Sequence, residues 1–176
     1  MTDAAGAGLL STVAPPAQAP TGLGFDPLML LHQCECQVAD NHPENPHRVR
    51  VIWEHLVNVK MADLCVRVGR EATLDEIESV HSPDHILLYG TGGASRLARS
   101  KFSMLKCGGV GVDSDTYWNE AHTGNAARYA VGTVAELCMK VSIDNVFLSG
   151  FAVSTRPFTP LYCARNYQVQ NLIGYN

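Results

Sequence analysis

The segment His32-Gln33-Cys34-Glu35-Cys36, with His42 shortly after it and Cys107 far downstream, limits the fold more than any other feature of the chain. If these side chains share one metal ion, two distant stretches must meet at a point, whatever lies between them. Thiolate and imidazole are the ligands that suit zinc, and four of them in a closed tetrahedron make a structural site. Cys34 and Cys36 are too close together for an easy mutual disulfide but well placed to hold one ion. His42 can return to that ion through the polar run from Gln37 to Asn41. Cys107 is the natural fourth ligand, because it heads Cys107-Gly108-Gly109-Val110-Gly111, where paired glycines let the backbone turn sharply and approach closely. Spacing alone leaves a second reading open, in which the cysteines are reduced, partly buried and scattered. It also lets His32 compete with His42 as a ligand.

The 176 residues suffice for one domain, and an apolar fraction of 46% provides a core. The net charge is −4 and the basic residues are dispersed, so no electrostatic footprint for direct nucleic-acid binding is present. No apolar stretch is long enough to cross a membrane. Met1-Thr2-Asp3-Ala4 lacks the basic start of a secretory signal, which predicts a reducing compartment. Reducing conditions favour metal binding over disulfides for Cys34, Cys36 and Cys107, and core packing for Cys65 and Cys138.

Residues 1–20, rich in Ala, Gly and Pro, read as a disordered arm. Order is expected from Thr21-Gly22-Leu23-Gly24-Phe25, a short strand, followed by a turn at Asp26-Pro27. Val49, Ile52, Trp53 and Leu56 recur at helical spacing behind Pro46. Cys65-Val66-Arg67-Val68 alternates like a strand. Thr73-Leu74-Asp75-Glu76 is a capping box for a helix through Ile77 and Val80, and Ser82-Pro83 starts another. Residues 90–106 read as a surface loop. Thr123 to Val141 predicts a long buried helix carrying Ala126, Ala127, Ala130, Val134 and Leu137 on one side. Val146-Phe147-Leu148 and Phe151-Ala152-Val153 read as the strand after it. Helices alternating with apolar strands predict an α/β fold with a mainly parallel sheet.

Several of these motifs, in this order, coincide with one family: Thr21-Gly22 with Leu28-Met29-Leu30, His32-Gln33-Cys34-Glu35-Cys36, His42-Pro43-Glu44, and the unbroken block from Cys107 to Glu120. Together they resemble the N-terminal part of a class IIa histone deacetylase catalytic domain, over residues 21–153. The resemblance implies a partial arginase/deacetylase-like three-layer fold with an N-terminal zinc-binding subdomain. It implies a structural zinc held by Cys34, Cys36, His42 and Cys107. The family has a second histidine after His-Pro-Glu where this chain has Asn45, which leaves His32 as a substitute ligand. By the same resemblance Arg48 matches the arginine at the inner end of the active-site channel, and Asp115 the rim aspartate that holds substrate backbone. From the residues alone Arg48 is an exposed helix arginine and Asp115 a turn former. His81 and His85 read as packing and capping residues. The implied partners are corepressor complex proteins, with acetylated protein substrate only in a full-length form, and the implied setting is transcriptional repression in nucleus and cytoplasm.

After Val153 the chain departs from that pattern. Where the family carries Arg-Pro-Pro-Gly-His-His, with its paired catalytic histidines, this sequence reads Ser154-Thr155-Arg156-Pro157-Phe158-Thr159-Pro160. Residues 154–176 are therefore expected to form a divergent tail, as from an alternative exon, a retained intron or a gene-model error. The family's catalytic zinc and its ligands fall beyond that point, so the expectation is a fragment without deacetylase activity. A small zinc-stapled interaction module and an incomplete record of an active enzyme are the other readings. A parallel sheet cut short is also expected to expose an apolar edge.

Overall fold

The computed structural model describes residues 19–38, 42–43, 45–87, 102–114 and 116–155. Its centre is β1 (Thr21–Gly24). This strand pairs in parallel with β2 (Val66–Val68) on one side and β5 (Ser149–Ala152) on the other, Leu23 standing between Arg67 and Phe151. Strand alternation sends Gly22 and Gly24 to one face and Leu23 to the other. On the glycine face α4 (Thr123–Ser142) packs closely: a Cβ on Gly22 would stand 2.6 Å from Leu137 and Phe147, and one on Gly24 2.5 Å from Thr133. On the other face Leu23 is buried with Val49 of α1 (Pro46–Asn58), Ala62 and Val153. Helix, sheet and helix make three layers.

Local signals set the boundaries. Asn45 caps α1 by accepting the His47 amide at 2.9 Å, and Pro46 occupies its first turn. Trp53 of α1 stacks on Phe25, centroids 4.2 Å apart, and carries the Arg67 guanidinium at 4.4 Å on its ring. The Thr73–Glu76 capping box forms in both directions and opens α2 (Leu74–Glu78), and Ser82 caps α3 (Pro83–His85). Arg70 then joins α2 to α4, reaching Glu76 at 2.6 Å and Glu136 at 2.9 Å.

Three expectations need correction. Val146-Phe147-Leu148 is not a strand: the amides of Val146 and Phe147 both turn back to the Lys140 carbonyl, leaving Phe147 buried and its neighbours exposed. Helix α2 stops at Glu78, with Ile77 buried but Val80 at the surface. Residues 90–106 are not wholly loop, because β3 (Ser103–Met104) pairs antiparallel with β4 (Val110–Gly111). Cys65 and Cys138 are half-buried. Among the described residues β2 and β5 form the sheet edges, and Phe151 is 56% exposed beside β1. The arm 1–18, residues 88–101 and the tail 156–176 lie outside the described residues. No described helix is long and apolar enough to cross a membrane.

Candidate metal centre

Three local structures converge on one point. A 3-10 turn (Pro27–Leu31), capped by Asp26 at the Leu28 amide, ends at His32 and feeds the Cys34–Cys36 segment. His42 enters immediately before α1. The β3–β4 hairpin brings Cys107 in from the other side, its turn closed by Gly108 N–H to the Leu105 carbonyl at 2.9 Å. Gly108 has φ +86°, the left-handed region that glycine adopts without strain. Gly109 is required for a different reason: a Cβ there would collide with the Cys34 sulfur.

The donor atoms of Cys34, Cys36, His42 and Cys107 all lie within 4.8 Å of one another. Cys34 Sγ and Cys107 Sγ are 3.7 Å apart. His42 Nε2 lies 3.3 Å from Cys36 Sγ and 3.5 Å from Cys107 Sγ. Zinc bonds of ~2.3 Å to sulfur and ~2.0 Å to nitrogen, set in a tetrahedron, give edges of about 3.8 Å between sulfurs and about 3.5 Å between sulfur and nitrogen. The donor set and these three edges fit a zinc ion. A cavity of about 330 Å³ lies beside the group, lined in part by Cys34, His42 and Tyr117.

Electrostatics divide the thiols. Burial pushes Cys34 up to about 12. Cys36 is brought down to about 6, first through its backbone hydrogen bonding at Val38, whose amide lies 3.5 Å from the sulfur, and then through His42. A bound cation would hold these side chains as thiolates, so metal uptake would release protons and weaken as pH falls.

His32 is not part of this group. Its Nδ1 is hydrogen-bonded to Thr123 Oγ1 at 3.0 Å, and its ring lies against Tyr117. Arg48 is half-buried, not exposed, and its Nη2 donates to the Ser154 carbonyl at 3.2 Å, tying α1 to the chain after β5. Asp115 lies outside the described residues; Asp113 accepts the Thr116 amide at 2.8 Å. His81 and His85 stack at 4.4 Å, with the His85 amide capped by Ser82. Sequence reasoning missed Tyr117. It is 2% exposed, meets the His42 ring edge-on at 5.0 Å, and donates to the His32 carbonyl at 2.9 Å. The only signal was an aromatic residue just after the polar run 113–116.

A sequence profile of the family described as "Histone deacetylase domain" matches residues 42–158. The chain belongs to the histone deacetylase family. It is 46% identical over 149 residues to histone deacetylase 7 of Homo sapiens, covering 78% of this chain and 16% of that protein. Identity to histone deacetylase 9 of Homo sapiens is also 46% over 149 residues, with 78% and 15% covered. Histone deacetylase 4 of Caenorhabditis briggsae is 38% identical over 145 residues, with 78% and 16% covered. The chain thus spans 15 to 16% of the length of these curated relatives. These identities bear out the class IIa resemblance. The crystal structure of the HDA15 HD domain superposes with a TM-score of 0.62 at 31% identity, covering 78% of this chain and 36% of that one. The fold is accordingly a partial arginase/deacetylase-like α/β fold.

Proposed function

We propose that this deacetylase-family chain is a zinc-stapled docking unit that does not hydrolyse acetyl-lysine. Cys34, Cys36, His42 and Cys107 hold a structural zinc, and the observation that carries the reading is the convergence of their donor atoms within 4.8 Å. When bound, the ion cross-links the N-terminal segment to the β3–β4 hairpin. Four protein ligands leave it no open position for water or substrate. The residues after Val153 read Ser154-Thr155-Arg156-Pro157 in place of the paired histidines that the class IIa resemblance leads one to expect. Amide hydrolysis needs both an accessible Lewis acid and proton-transfer groups, and neither is supplied by this site. Arg48 binds the Ser154 carbonyl, a structural contact, and with Asp115 could at most position an acetylated protein. Corepressor complex proteins are the partners this reading assigns to the zinc-held surface, in nucleus and cytoplasm.

The test is turnover. The purified zinc-loaded chain is expected to leave an acetyl-lysine peptide and its trifluoroacetyl analogue at background rate, while retaining corepressor binding that a chelator removes. Hydroxamate-sensitive hydrolysis of either peptide would overturn the reading.

A further inference from the structure

We infer that Tyr117 is a positioning residue for the metal centre, orienting the His42 imidazole and linking it to the N-terminal end of α4. The inference rests on the zinc reading of the four-donor cluster. Histidine ligands are usually fixed by a hydrogen bond from the second ring nitrogen, which sets tautomer and ring angle. His42 points Nε2 at the sulfurs, and among the described residues no hydrogen bond holds its Nδ1. What does hold the ring is Tyr117, whose plane meets it at 73° with centroids 5.0 Å apart. Edge-to-face aromatic pairs have a preferred geometry, so this contact fixes direction as well as filling space.

Tyr117 is itself anchored at several points. Its hydroxyl donates to the His32 carbonyl at 2.9 Å, and its ring also lies 4.5 Å from that of His32. His32 is 2% exposed and is hydrogen-bonded to Thr123 Oγ1, which also accepts the Asn119 amide at 2.8 Å. Thr123 is the first residue of α4. A continuous buried path therefore runs from a metal ligand through Tyr117 and His32 to the helix that packs on the sheet. The strand bridge between Gly111 and Tyr117 adds the hairpin that carries Cys107. The Tyr117 side chain thus touches a ligand and the segment leading to two more, while its backbone meets the hairpin holding the fourth.

The experiment uses the full chain with Co²⁺ in place of Zn²⁺, compared across wild type, Tyr117→Phe and Tyr117→Met. Methionine keeps apolar volume without the aromatic edge, which protects the fold. Wild type is expected to show thiolate-to-cobalt charge transfer and tetrahedral d–d bands. Tyr117→Phe, which keeps the ring against His42 and His32 and loses only the bond to the His32 carbonyl, should keep the band positions and bind zinc within a few-fold of wild type. Tyr117→Met should shift the d–d bands and weaken zinc in chelator competition by about 10-fold or more, the usual scale for lost outer-sphere support. A Tyr117→Met protein with a wild-type spectrum and affinity, whatever its melting temperature, would overturn the positioning role. A wild-type chain without thiolate-cobalt bands would overturn the metal site itself, and the role of Tyr117 with it.

Discussion

Gly132→Ala should destabilise the protein although it places alanine inside a helix. Helix propensity alone favours alanine over glycine by about 1 kcal/mol. At this position, however, a Cβ would lie 2.5 Å from the Arg70 carbonyl oxygen and 2.5 Å from the Glu71 carbonyl carbon, and would strike the Ala72 nitrogen. All are backbone atoms, which cannot swing aside as a side-chain tip does. Relief requires moving the 70–72 segment off α4. That motion strains the Ala72 amide bond to the Arg128 carbonyl at 2.9 Å and the two Arg128 bonds to the Ala72 carbonyl at 3.0 and 3.2 Å. Overpacking costs ~1–3 kcal/mol, and each hydrogen bond contributes ~1 kcal/mol. After the propensity gain the net loss is about 3–5 kcal/mol if all three bonds are lost, or roughly 6–20 °C in melting temperature for a domain of this size. Urea and thermal denaturation of the zinc-loaded protein measure it. Asn125→Ala, at an exposed position in the same helix, is the control and should gain ~0.5 kcal/mol. A Gly132→Ala protein as stable as wild type would show that α4 and the 70–72 segment are not packed as described.

Replacing Arg70 by Met should cost ~1–2 kcal/mol at pH 7, since it removes bonds to both Glu76 and Glu136 at a partly exposed site. The loss should shrink in acid: Arg70 holds the Glu76 carboxyl down to about 2, so its stabilisation is complete above about pH 4.5 and disappears as pH falls from there toward 2. Equal losses at pH 7 and pH 2.5 by urea titration would contradict this. Thr73→Ala breaks the capping box, in which the hydroxyl accepts the Glu76 amide at 3.2 Å, and should cost ~1 kcal/mol. Hydrogen exchange should then accelerate locally in α2, and unchanged exchange there would count against the cap.

Much of the fold was legible because its signals are local. Pro46, the capping box from Thr73 to Glu76 and Ser82-Pro83 mark helix starts by signals that span a few residues, and all three helices begin where expected. The apolar run 146–148 misled because its hydropathy matches a strand, whereas the return from α4 is governed by the Lys140 carbonyl and by Asn145 at φ 53°. The β3–β4 hairpin was missed because two-residue strands have no period to read. At the metal centre, ligand chemistry identified Cys34, Cys36, His42 and Cys107, but spacing could not separate His42 from His32. What separates them is Thr123, distant in sequence, which engages the His32 ring. The need for glycine at 109 and for an aromatic at 117 likewise arises from contacts across the fold.

The most direct test of the zinc centre is metal content by mass spectrometry on the purified chain, wild type beside Cys107→Ser and Cys65→Ser. The predicted result is one zinc per chain in wild type and in Cys65→Ser, and a large loss of zinc in Cys107→Ser. Chelation should also release the 34–36 segment and the hairpin, since structural zinc supplies ~10–16 kcal/mol in small zinc peptides. No zinc in the wild-type protein, or full occupancy in Cys107→Ser, would contradict the account.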